Sequence, residues 1–192
     1  MKPLTPTTPH VIMLVGIPGA GKTTFAEHFA KTFAAPYLNP RAVSRQVGIG
    51  VDKAEQVTLI LLNELLKTER TLIYEGPTDT KIERAEVVKL AKHAGYHTLV
   101  VWVQTEPLEA KRRATKKQQD GTPLSSAEFQ NAVSYFQAPL TSEKPVVISG
   151  RHTYATQLKA VLKNLARSRP DTQVPPAPEQ PIVRSGRNII IR

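Results

Sequence analysis

An apolar, largely β-branched run, Val11-Ile12-Met13-Leu14-Val15, passes without a break into Gly16-Ile17-Pro18-Gly19-Ala20-Gly21-Lys22-Thr23, and a helical stretch follows from about residue 22 to residue 33. No other feature restricts the fold as strongly. A strand, a glycine-rich turn and a helix in this order, with the spacing Gly-x-x-x-x-Gly-Lys-Thr, form a cradle for phosphate. The glycines let the backbone adopt conformations closed to residues with a Cβ, so that successive N–H groups converge on phosphate oxygens. The start of the helix adds unpaired donors and the positive end of its dipole. Gly16, Pro18, Gly19, Ala20, Gly21, Lys22, Thr23 and Thr24 are therefore expected to hold a nucleoside triphosphate, ATP or GTP. Lys22 is expected to neutralise the β- and γ-phosphates, and the Thr23 hydroxyl to ligate Mg²⁺, which prefers hard oxygens. A dinucleotide-binding turn fits worse. Its glycines have another spacing, and Leu38-Asn39-Pro40 stands where an acid would hold a ribose.

The rest of the chain repeats the alternation. Residues 11–15, 37–38, 71–74, 98–103 and 146–148 read as strands apolar on both faces, as parallel strands are. Residues 53–68, 81–94, 107–118, 125–137 and 154–166 read as helices, the last with Leu158, Val161, Leu162 and Leu165 on one face. The expected fold is α/β, a doubly wound parallel sheet of about five strands. Leu59 to Leu62 make their helix apolar all round and Trp102 sits mid-strand, so both are expected in the core. Three segments are expected: a Pro/Thr-rich extension over 1–9, a folded domain over 10–167, and a Pro-rich, mobile arm over 168–192 that offers a surface to a protein partner. The 192 residues contain no Cys, which excludes disulfide frameworks and thiolate chemistry and fits the cytoplasm. No apolar run is long enough to span a membrane, and the five His lack metal-ligand spacing. The net charge of +10 points to a polyanionic partner, without a sequence-reading motif for nucleic acid.

A phosphate cradle needs an acid near its magnesium ion, and Leu72-Ile73-Tyr74-Glu75 ends in one. Placed beside the first strand, Glu75 projects from the same carboxyl edge as the glycine-rich turn, where open α/β sheets bind ligands. Lys111, Arg112, Arg113, Lys116 and Lys117 then gather on one helix with only Glu109 beside them, and a polar, turn-rich segment, 118–123, follows as a hinge.

With these parts the chain resembles the P-loop kinases, within them the polynucleotide-kinase-like, AAA-type group, over about residues 10–166. The resemblance rests on Gly-x-Pro-Gly-x-Gly-Lys-Thr-Thr at Gly16 to Thr24, on Glu75-Gly76-Pro77-Thr78-Asp79 through Arg84, and on Val103 to Pro107 followed by Arg113-Ala114-Thr115-Lys116-Lys117. It implies transfer of the γ-phosphate of ATP-Mg²⁺ to a hydroxyl, on a polynucleotide 5′ end or a small metabolite, with Arg113 in a lid over the phosphates. Ser149 to Thr153 follows the last strand as either a nucleobase contact or a capped loop. One departure stands out. Many relatives carry an Asp after the second strand that accepts the acceptor's proton, whereas this chain has Asn39-Pro40-Arg41-Ala42-Val43-Ser44-Arg45. Either Asp79, Asp52 or Glu55 serves as base, with Asp79 the one carried forward, or proton removal matters little, or the chain is a nucleotide-binding module without phosphotransfer. Arg41 and Arg45 are free to hold an anionic acceptor. A basic protein gripping nucleic-acid backbone is the remaining alternative.

Overall fold

In the computed structural model, residues 8–116 and 123–167 are described; residues 1–7, 117–122, which take in all but the last residue of the expected hinge 118–123, and 168–192, the expected arm, lie outside the described residues. The strand that enters the glycine-rich turn, β1 (His10–Val15), is buried along its whole length. That burial follows from its place in the sheet. The five strands are β1, β2 (Tyr37–Leu38), β3 (Leu72–Tyr74), β4 (His97–Gln104) and β5 (Val146–Ser149), in the order β2-β3-β1-β4-β5. All pairings are parallel, with Ile12 opposite Ile73 on one side and Leu99 on the other. β1 is therefore central, and all strand ends that carry chemistry lie on one edge.

Helices α1 (Lys22–Phe33) and α7 (Tyr154–Arg167) cover one face, where Phe25, Phe29, Val161 and Leu165 pack on Ile12, Leu14, Val101 and Ile148. Helices α3 (Val51–Leu66) and α4 (Lys81–His93) cover the other, bringing Leu62, Leu66, Val87 and Ala91 onto Val11, Met13, Tyr74 and Val100. The doubly wound expectation thus holds. Two expectations of burial do not. Ile60 is 64% exposed, because α3 buries only the face marked by Ala54, Thr58, Leu62 and Leu66. Trp102 is only half-buried and Val147 is 49% exposed, because β5 is an edge strand and their face of β4 and β5 lies beyond α3 and α4. A helix that the sequence reading passed over, α2 (Pro40–Val47), joins β2 to α3, and a 3₁₀ turn (Thr141–Glu143) precedes β5. Helix α5 (Pro107–Ala114) ends earlier than expected, and α6 (Ser126–Tyr135) follows it. Among the described residues no helix is long and apolar enough to cross a membrane.

Two features fix the loops around the carboxyl edge. Arg84 on α4, 1% exposed, lies inside the protein and not in the cleft. Its guanidinium donates to both carboxylate oxygens of Glu143, at 2.6 and 3.0 Å, and to the carbonyls of Thr78, Asp79 and Gln137. One side chain thereby ties the loop after β3 to the segment before β5. Thr78, whose hydroxyl donates to the Leu14 carbonyl at 2.8 Å, pins the same loop to β1. The second feature is close backbone packing of the glycine-rich turn. A Cβ on Gly19, whose φ is +77°, would collide with the Ala110 carbonyl of α5; one on Gly150 would collide with the Ala20 carbonyl, which also accepts from Thr105 Oγ1 at 2.9 Å.

Replacing Arg84 by Met is expected to cost about 3 kcal/mol in urea unfolding, because it leaves a carboxylate and three carbonyls without their buried donor. Gly19→Ala is expected to cost about 3 kcal/mol by combining a left-handed φ with overpacking. Gly48→Ala, with φ +72° and open space around it, is expected to cost only the conformational share, about 1 kcal/mol, in the same measurement.

Candidate phosphate-transfer site

Helix α1 starts at Gly21 with no side-chain cap and no acid in its first turn, so its leading N–H groups point into the cleft with no side chain accepting from them. The cleft has a volume of about 670 Å³, in the range of small-molecule sites. Pro18, Gly19, Ala20, Gly21, Lys22, Thr23 and Thr24 all line it, as do Glu75, Asp79 and Arg113. Gly16 lies beneath them. Its carbonyl accepts from the Lys22 ammonium, which also donates to the Ile17 carbonyl at 3.2 Å. Burial pushes the Lys22 pKa down, and the carboxylates of Glu75 and Asp79 pull it back up. A cation held in place by carbonyls and acids, and stripped of part of its water, is ready to exchange those contacts for phosphate oxygens.

The pairing of β3 with β1 puts Glu75 next to the turn, as expected. Glu75 Oε1 accepts from Thr23 Oγ1 at 2.8 Å. Its other oxygen accepts from the Tyr37 hydroxyl and, at 3.3 Å, from Asn39 Nδ2, which also donates to Tyr37 at 2.8 Å. Sequence reasoning missed Tyr37 and Asn39 as partners of this acid, although both end the strand next to β3. Burial, followed by the negative charge of Glu75, drives the Tyr37 pKa well above that of an ordinary phenol, so it remains a donor. Among the described residues no group of three or more His, Asp or Glu could hold a metal. The donors present suit Mg²⁺ better than a metal caged by protein: one hydroxyl and one carboxylate, leaving positions for phosphate oxygens and water.

Asn39 answers the question of the absent carboxylate after β2. Its Oδ1 accepts from the backbone N–H groups of Arg41 and Ala42, at 2.9 and 3.2 Å, and so caps α2, with Pro40 in the first helical position. Of the three acids considered as bases, Asp79 and Glu55 line the cleft and Asp52 does not. Asp79 has its backbone held by Gln137 and Arg84, while its side chain makes no hydrogen bond with any described residue. Burial raises its pKa, opposed first by Lys22. Glu55 is raised as well, by burial and then by Asp52, Glu83 and Asp79.

The cationic helix divides. Arg112 turns to solvent and pairs with Glu109, whose pKa the two neighbouring guanidiniums hold down at about 2. Arg113 also donates to Glu109, at 2.8 Å, but its other end reaches across to the Gly150 carbonyl at 3.1 Å, so it spans the mouth of the cleft between α5 and the loop after β5. Lys116 lines the cleft, and Lys117 and residues 118–122 of the expected hinge lie outside the described residues. Gly150 and His152 bring the post-β5 loop to the cleft, where the rings of His28 and Tyr154 stack at 5.1 Å.

A family model described as an AAA domain matches residues 11–139. Among solved structures, the chain is similar to a gluconokinase from Sinorhizobium meliloti 1021, at 18% identity over 83% of this chain and 93% of that one, with a TM-score of 0.62. It is similar to Chaetomium thermophilum Kti12 in complex with ADP-AlF3, at 17% identity over 81% and 97%, with a TM-score of 0.65. It is also similar to the Mycobacterium tuberculosis APS kinase CysC in complex with AMPPNP and APS, at 15% identity over 84% and 99%, with a TM-score of 0.61. No curated protein matches it in sequence. At these identities the structural likeness establishes a common fold, while the family match extends over more than half of the chain, from β1 past α6. The chain belongs to the AAA-domain family, and its fold is that of these solved P-loop structures.

Proposed function

We propose that this protein binds ATP, or GTP, with Mg²⁺ and transfers the γ-phosphoryl group to a hydroxyl of an acceptor, a polynucleotide 5′ end or a small metabolite. The observation that carries the reading is the convergence of Lys22, the Thr23–Glu75 pair and Asp79 on one cleft at the carboxyl edge of the sheet. The printed descriptions of structural relatives support it, since a gluconokinase and an APS kinase share the fold and two relatives were solved with ADP-AlF3 or AMPPNP.

In this reading the amides of residues 19–24 and the Lys22 ammonium bind the β- and γ-phosphates. Thr23 and Glu75 hold the magnesium ion, which when bound neutralises charge between those phosphates. Tyr37 and Asn39 orient Glu75. Arg113, already spanning the mouth of the cleft, stabilises charge on the transferring group. The acceptor oxygen attacks the γ-phosphorus, the bond to the β–γ bridging oxygen breaks with its electron pair going to ADP, and Asp79 takes the acceptor's proton. A second reading, a nucleotide-binding module that acts through a partner, is favoured by one observation: the side chain after β2 is committed to capping α2.

The two readings separate on γ-labelled ATP and a panel of hydroxyl acceptors. Label appearing on an acceptor supports transfer; nucleotide binding that changes only partner affinity supports the module. Lys22→Ala is expected to weaken ATP-Mg²⁺ binding at least about tenfold by calorimetry, the loss of a charge-assisted contact, without unfolding the chain. Asp79 works as a base only when ionised, and its pKa is raised. Rates should therefore fall as pH drops through a value above that of an ordinary Asp. Asp79→Asn is expected to remove that acid limb and lower kcat by about 10²- to 10⁴-fold.

A further inference from the structure

Arg41 and Arg45 stand one helical turn apart on α2, and both line the cleft. Neither guanidinium makes a hydrogen bond or an ion pair with any described residue. Arg41 is close enough to Lys22, Glu55 and Asp79 to act on the charge of all three. Their helix does not hang loosely. Its first turn is capped by Asn39, whose amide is also bonded to Glu75, so the arginines are registered to the carboxylate beside the phosphate turn.

Glu55 and Asp79 line the same cleft, each carboxyl without a hydrogen-bond partner among the described residues. The cleft therefore offers two guanidiniums for an oxyanion and two carboxyls for hydroxyl donors. It does not offer a track for a polyanion. Glu55 and Asp79 line the cleft together with the arginines, so a row of backbone phosphates laid through it would meet carboxylates after the first one.

We propose that the acceptor is a small polyhydroxylated molecule bearing one anionic group, a phosphate monoester or a carboxylate, with that group on Arg41 and Arg45 and a hydroxyl directed at Asp79 and Glu55. This rests on the kinase reading of the same cleft and narrows its acceptor to the small-molecule class.

The test uses the full chain loaded with AMPPNP-Mg²⁺, so that the phosphate turn is occupied, and calorimetric titration with inorganic phosphate, glucose 6-phosphate, glucuronate, glucose and a short 5′-hydroxyl oligonucleotide. Phosphate and at least one anionic sugar are expected to bind about tenfold or more tightly than glucose, the worth of a charge-assisted pair. Glucose 6-phosphate against glucuronate tells a phosphate site from a carboxylate site. Arg45→Ala, and more fully Arg41→Ala with Arg45→Ala, are expected to lose that margin, while AMPPNP affinity in Arg45→Ala stays within about twofold. Indifference to both phosphate and the anionic sugars, equal binding of glucose, survival of anion binding in the double variant, or an oligonucleotide that binds more tightly than either anionic sugar would each overturn the inference and leave nucleotide binding intact. Failure of the unsubstituted chain to bind AMPPNP would instead remove the kinase reading, and this inference with it.

Discussion

Backbone pressed against backbone at the β1–α1 turn is the constraint on which the rest depends. The turn lies between the Ala110 carbonyl on one side and the Gly150 main chain on the other, with no space for a side chain at either contact. Its N–H groups are therefore aimed by the packing of α5 and the post-β5 loop as well as by local sequence. Ordering that folding has already supplied does not have to be supplied again when phosphate arrives, which is how a few glycines become a binding site and not merely a bend. The same contacts explain why Arg113 is so near. α5 cannot touch Gly19 without carrying its last turn over the mouth of the cleft.

Within that frame the cleft mixes cations with acids, Lys22, Arg41 and Arg45 lining it together with Glu55, Glu75 and Asp79. Burial works against ionisation at both, lowering Lys22 and raising Asp79, while the attraction between these two opposes it. The outcome is a cation and an acid whose states are balanced against each other in partial isolation from water, the setting in which small shifts in neighbours change reactivity most. Arg84 plays the opposite part. It is satisfied at every donor the loop requires, and it makes Asp79 a fixed point by holding the carbonyls on either side of it.

Much of this was legible in the amino-acid sequence, for physical reasons. Strands β1 and β4 announce themselves because parallel strands between helical layers are apolar without alternation, and the phosphate turn because its spacing is restrictive. Glu75 could be placed since it ends the strand that pairs with β1. What escaped was set by tertiary contact. Helix α2 is only eight residues long and buries none of them but Pro40, and its signal was the Asn39-Pro40 start, read instead as a lost acid. Arg84 was legible only as the end of the segment that follows Glu75; the folded chain brings Glu143, 59 positions away, to its guanidinium. Trp102 and Ile60 were misjudged because hydrophobicity alone does not say where a sheet's covering helices stop.

Asn39 limits which side chain can follow β2. The amide is used from both ends, its oxygen turned to the helix start and its nitrogen to Tyr37 and Glu75. Exchanging it for the isosteric acid would keep the cap but set a second carboxylate against Glu75, where a donor now stands, and the two would compete for one proton. An acid at position 39 would therefore be compatible with Glu75 only with a proton or a cation between the two, a requirement that the amide meets with its own N–H.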